Sequence, residues 1–168
     1  MAVALFLLCG LPGSGKTTFA GALLAATDAV HVESDAIRLE LVQAPLYTPR
    51  EHERVFAEVG RRVARALGTR RSAIVDATNL KAVHRTRYFE LAADAHACLI
   101  AVRLVAPYAT LRKRVSGDRD GHSQAGANVL RTMHGTEERF SSPTLVVDTR
   151  FPIQPSVDLA LQLATGRD

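Results

Sequence analysis

Residues 7–18 read Leu-Leu-Cys-Gly-Leu-Pro-Gly-Ser-Gly-Lys-Thr-Thr. Within them, Gly10 to Thr17 satisfies G-x-x-x-x-G-K-[ST] at every position. An apolar, strand-like run, Ala2–Cys9, leads in, and a helix-forming run, Lys16–Ala26, follows. Glycines let backbone N–H groups close around phosphate oxygens, and the following helix points its positive end at the same anion. The expected nucleotide-binding set is Gly10, Leu11, Pro12, Gly13, Ser14, Gly15, Lys16, Thr17 and Thr18. Lys16 is expected on the β- and γ-phosphates, and the Thr17 hydroxyl on Mg²⁺. Such a loop indicates a nucleotide and leaves the reaction open. No Asn-Lys-x-Asp segment occurs and no Asp-x-x-Gly follows the third strand, which favours ATP over GTP and a small kinase over a GTPase.

Beyond the loop, β-rich runs alternate with helical ones. Strands are expected at Ala29–Glu33, Ser72–Val75, Ala97–Leu104 and Thr144–Val147. Helices are expected at Asp35–Val42, Pro49–Leu67, Val83–Ala95, Tyr108–Val115, Ala127–Phe140 and Pro155–Ala164. Pro49–Leu67 carries Val55, Phe56, Val59, Val63 and Leu67 on one stripe. This alternation argues for an α/β fold, a parallel sheet covered on both faces.

The bulk numbers bound the class. At 168 residues, with 47 % hydrophobic and 23 % charged content, the chain suits one domain with a proper core. No apolar run reaches the ~20 residues of a membrane span. Cys9 and Cys98 form no disulfide framework or metal pattern and read as small buried thiols. A cytoplasmic monomer is the resulting expectation. The net charge of +4 rests on 18 Arg against 3 Lys. It suits phosphorylated ligands and is too small to demonstrate nucleic-acid binding. The six histidines lack metal-ligand spacing and read as surface or packing residues.

Three further stretches carry chemistry. Glu33-Ser34-Asp35-Ala36-Ile37-Arg38 ends the second strand and opens a helix. Ligands gather at the carboxyl ends of parallel strands, so Asp35 falls beside Lys16. Asp35 can take the proton of an attacking hydroxyl, and Arg38, one turn on, can hold an anionic substrate group. A helix cap and a surface charge are the alternative. Next, Ala73-Ile74-Val75 runs into Asp76, an expected Mg²⁺ ligand with Thr17. Thr78 and Asn79 follow as substrate contacts, or as a turn and helix cap. Finally, Leu111 to Arg119 is a basic helix running into a Gly/Asp/Arg-rich loop, Ser116–Gly126. Arg119 first and Arg114 second are the expected lid cations, with a solvated helix face as the alternative.

Taken together, these motifs resemble the small P-loop kinases of the polynucleotide 5′-hydroxyl kinase, zeta toxin and chloramphenicol phosphotransferase-like group, AAA-type ATP-binding kinases. Ala127–Met133 is similar to the helix that follows the lid in the phage polynucleotide kinase. The resemblance runs through residues 3–140. It implies a P-loop NTPase three-layer sandwich over the whole chain, a five-stranded parallel sheet of order 2-3-1-4-5, and a helical lid near residues 112–135. It implies ATP and Mg²⁺ as cofactors and Asp35 as general base. Arg38 becomes a substrate-phosphate ligand, and Lys16 and a lid arginine stabilise the transferred group. The acceptor is a hydroxyl-bearing molecule, small or nucleic acid. Arg38, Arg50, Arg54 and Tyr47 in the acceptor pocket suit an anionic one. A sugar or antibiotic kinase, or an ATPase or switch acting through a partner, are the alternatives.

Overall fold

The computed structural model describes residues 2–117 and 126–166. Every strand joins one parallel sheet of order β2-β3-β1-β4-β5. The strands are β1 Ala4–Cys9, β2 Val30–Glu33, β3 Ala73–Asp76, β4 Cys98–Val105 and β5 Leu145–Asp148. The helices are α1 Lys16–Ala26, α2 Ser34–Leu41, α3 Pro49–Gly68, α4 Ala82–Asp94, α5 Tyr108–Ser116, α6 Ala127–Met133 and α7 Gln154–Thr165.

The central strand explains the layers. All six residues of β1 are buried, as a strand covered on both faces requires. Its alternate side chains enter two different cores. Leu5, Leu7 and Cys9 pack with Val55, Val59 and Val63 of α3 and Tyr88 of α4. Ala4, Phe6 and Leu8 pack with Phe19 and Leu23 of α1 and Val157 and Ala160 of α7. Each fully buried Leu or Phe is worth roughly 1.5–3 kcal/mol, so β1 fixes both faces at once. A third, small cluster joins Leu111 and Val115 of α5 to Leu130 of α6.

Helix ends follow local chemistry. Pro49 opens α3 behind Thr48, whose hydroxyl accepts the Glu51 N–H at 3.2 Å. The expected helix from Ala127 to Phe140 is corrected: α6 ends at Met133. Gly135 takes a left-handed φ of 80°. The chain then runs beneath Arg85, whose guanidinium takes the carbonyls of Glu138 and Arg139 at 3.0 and 2.7 Å and stacks on Phe140 at 4.0 Å. Those carbonyls go to a side chain instead of a helix. Cys9 is fully buried, and burial pushes its thiol up to about 12; Cys98 is partly buried.

No helix among the described residues is long and apolar enough to cross a membrane.

Candidate active site

The carboxyl ends of β1, β2 and β3 open onto one cavity of about 680 Å³. The 10–17 loop forms one wall. Two of its glycines are dictated by space as well as dihedral. Gly10 has φ 150°, and a Cβ there would stand 2.5 Å from the Leu104 carbonyl oxygen. Gly13 has φ 79°, and its Cβ would meet the Leu111 oxygen and Val115 Cγ1 at 3.0 Å. The loop is pinned at its start by Gly10 N–H donating to the Thr78 oxygen at 3.0 Å. Lys16 Nζ folds back and donates to the Gly10 and Leu11 oxygens at 3.0 and 3.1 Å. That holds the ammonium over the loop, where a phosphate would enter.

Thr17 and Asp76 were expected to share a metal, and they meet. Thr17 Oγ1 donates to Asp76 Oδ2 at 2.9 Å. One hydroxyl and one carboxylate suit Mg²⁺, a hard cation that takes its other ligands from phosphates and water. Among the described residues no cluster of three or more His, Cys, Asp or Glu could hold a metal by itself. His31 Nε2 stands 3.5 Å from the same Asp76 oxygen. Contact with that carboxylate raises the imidazole pKa, against burial, which lowers it. His31 sits on β2 in register with Ile74, two residues before Asp76, a pairing the linear sequence does not announce.

Arg114 reaches the loop from α5. It donates to the Gly13 oxygen at 3.2 Å, to Thr149 Oγ1 at 2.8 Å and to the Thr149 oxygen at 2.8 Å. It therefore clamps the phosphate loop to the turn after β5. Arg119 lies outside the described residues.

Asp35 lines the same cavity, from the first turn of α2. Glu33, not Ser34 or Asp35, occupies the cap position, and no side chain caps the helix. Arg38 follows, 5 % exposed, and is paired with Glu51 of α3. Glu51 also accepts the N–H groups of Leu46 and Tyr47 at 2.9 and 3.1 Å. Burial pushes the Glu51 carboxyl up, but the Arg38 bond and these amides outweigh it and leave its pKa below the usual value. The Arg38 guanidinium lies over the Tyr47 ring at 4.7 Å. Burial and the nearby Asp35 charge raise the Tyr47 phenol.

Thr78 lines the cavity; Asn79 does not. Asn79 is fully buried with φ 47°, and its Nδ2 donates to the Leu8 oxygen at 2.8 Å. It fastens the turn after β3 to β1 and does not cap α4, which begins after Lys81. Several lining residues escaped the sequence reading: His52 and Phe56 of α3, Met133 of α6, and Thr149, Phe151 and Ile153 after β5. Phe56 packs against the core at the edge of the α3 stripe, and its ring also contacts His52 at 4.3 Å and stacks with His84 at 5.7 Å.

A family described as AAA domain matches residues 5–140, and the chain belongs to it. Among solved structures, a gluconokinase from Sinorhizobium meliloti 1021 is 25 % identical, with a TM-score of 0.70, over 97 % of this chain and 92 % of that one. A chain of the Pnkp1/Rnl/Hen1 complex is 28 % identical, with a TM-score of 0.60, over 73 % of this chain and 42 % of that one. The APS kinase CysC of Mycobacterium tuberculosis, in complex with AMPPNP and APS, shares the fold at 16 % identity and a TM-score of 0.72, over 96 % and 97 % of the two chains. No curated protein matches the chain by sequence.

Proposed function

We propose that this member of the AAA domain family is an ATP-dependent kinase that moves the γ-phosphoryl group of ATP to an alcohol. One observation carries the reading: a single cavity is lined both by the phosphate loop, at Pro12, Gly13, Gly15, Lys16 and Thr17, and by Asp35. An ATPase or switch needs only the first. The name of the S. meliloti relative, a gluconokinase, supports the same reaction class.

The division of labour follows from the geometry. Loop N–H groups and Lys16 bind the phosphates and neutralise charge that develops on the transferred group. Arg114 holds the loop in shape through Gly13 and lines the same cavity, to which it adds a second cation. Thr17 and Asp76 would hold Mg²⁺, which supplies charge neutralisation across the phosphates when bound. Asp35 orients the acceptor hydroxyl and takes its proton. The hydroxyl oxygen forms the new bond to the γ-phosphorus, the bond to the bridging oxygen breaks, and ADP leaves.

The test is transfer of label from γ-labelled ATP to hydroxylated compounds, 5′-hydroxyl oligonucleotides and sugar acids among them, with Mg²⁺ and with EDTA. Wild type should label a hydroxylated product only when Mg²⁺ is present, and Asp35→Asn should bind ATP without labelling it. Label that ends only in inorganic phosphate with every acceptor would favour the ATPase reading.

A further inference from the structure

The acceptor end of the cavity differs from what its arginines suggest in sequence. Arg38 is its one buried cation among the described residues, and that charge is already matched by Glu51. Two amides, of Leu46 and Tyr47, complete the coordination of Glu51. A second carboxylate or a phosphate brought to Arg38 would share one guanidinium with a buried carboxylate, and like charges in that setting repel. Arg50 and Arg54 do not line the cavity.

Besides Glu33, Ser34 and Asp35, rings and apolar side chains line it. Tyr47, His52 and Phe56 form an aromatic wall, and Val129 and Met133 of α6 enter the same cavity. The Phe56 ring is held by His52 and His84. Burial lowers the pKa of both histidines, so this wall carries no charge at neutral pH. One polar feature is unspent. The Nε–H of Arg38 is buried with no hydrogen-bond partner among the described residues. Arg38 lines the cavity while this atom is covered, so a small movement of the side chain would offer the donor to a ligand oxygen or to water. A neutral oxygen suffices, because Glu51 has already matched the charge.

Building on the kinase reading above, we infer that the acceptor is an uncharged alcohol on a flat, aromatic body, stacked on Tyr47 and Phe56 and hydrogen-bonded to Arg38 Nε. Asp35, one turn before Arg38 on α2, lines the same cavity. Rings stack on aromatic side chains with little demand on their substituents, so the wall selects shape and the neutral Arg38–Glu51 pair selects against charge. An uncharged acceptor runs against the expectation of an anionic one.

Binding tests this without requiring turnover. With ADP and Mg²⁺ saturating the nucleotide end, calorimetry compares two pairs of probes: thymidine against thymidine 3′-monophosphate, and 3-phenylpropane-1,2-diol against gluconate. Each uncharged probe should bind more tightly than its anionic counterpart. Phe56→Ala and Tyr47→Ala should each weaken thymidine binding by about tenfold, with ADP affinity held. Tyr47 sits on an exposed loop, so its variant will fold even if the α3 variant does not. The inference is overturned if the anionic probe of either pair binds as well or better, if neither uncharged probe binds at its solubility limit, or if a folded wall variant binds thymidine like wild type. The kinase reading fails separately, through labelled phosphate that reaches only water.

Discussion

The two ends of the cavity are assembled on different principles. The nucleotide end is eight consecutive residues, Gly10 to Thr17, shaped by backbone dihedrals and tied down by bonds to main-chain oxygens. The acceptor end collects side chains from α2, the loop before α3, α3 itself and α6, held by one buried ion pair and ring contacts. The first can hardly vary without collapse, since a Cβ at Gly10 already collides with a carbonyl. The second presents side chains such as Tyr47, 54 % exposed on a loop, whose exchange leaves the core untouched. Such a division lets one scaffold keep its phosphate donor and change its acceptor.

The largest effects should separate the two ends kinetically. Asp35→Asn keeps size and hydrogen bonding and removes the proposed base, so kcat should drop by about 10²–10⁴ with ATP affinity retained. Lys16→Ala removes a charge that acts on bound ATP and on the developing charge alike. It should lower kcat by about 10²–10³ and weaken ATP binding as well. Equilibrium nucleotide binding beside single-turnover rates checks both. If the two variants lose ATP binding equally, the ends are not independent and the comparison breaks.

A smaller effect probes the backbone. Gly13→Ala forces an L side chain into a left-handed φ and pushes its Cβ against α5 at Leu111 and Val115. The dihedral alone costs about 1–2 kcal/mol. The expected result is a lower denaturant midpoint in urea together with weaker ATP binding, since Arg114 holds the loop through the Gly13 oxygen. An unchanged midpoint would mean the loop relaxes freely and does not depend on α5.

The same contrast governs what the sequence revealed. The loop, the strand before it and α1 were legible because their determinants are contiguous; α1 begins at Lys16 and ends at Ala26, as its pattern predicts. Asp76 could be paired with Thr17 because strand ends converge in a parallel sheet. Asn79 was misassigned by the same reasoning. It stands past a strand end, but a left-handed φ turns its amide inward to Leu8. Phe56 shared the period of the buried stripe, and periodicity cannot tell a core edge from a cavity wall. Glu51 and Thr149 had no local signal: each matters through an arginine, 13 residues away for Glu51 and 35 for Thr149. Charge matching across such distances is a property of the fold.

The finest prediction concerns that invisible partner. The folded Glu51 pKa is lowered, so its contribution to stability is fully present above the unfolded glutamate value of 4.5 and is lost as pH falls through the folded value. Glu51→Gln should unfold at lower denaturant than wild type at pH 7, because Arg38 is left buried without its counter-charge. Below pH 4.5 the two midpoints should converge, since wild type loses there what the variant never had. Glu138, held down by the Ala82 amide and Lys81, and Asp148, held down by Arg150, titrate over the same acid limb. They are present in both proteins and cancel in the difference. Midpoints measured from pH 3 to pH 7 decide the matter: parallel curves would mean that Glu51 is not the charge that holds Arg38, and the neutral acceptor end would lose its basis.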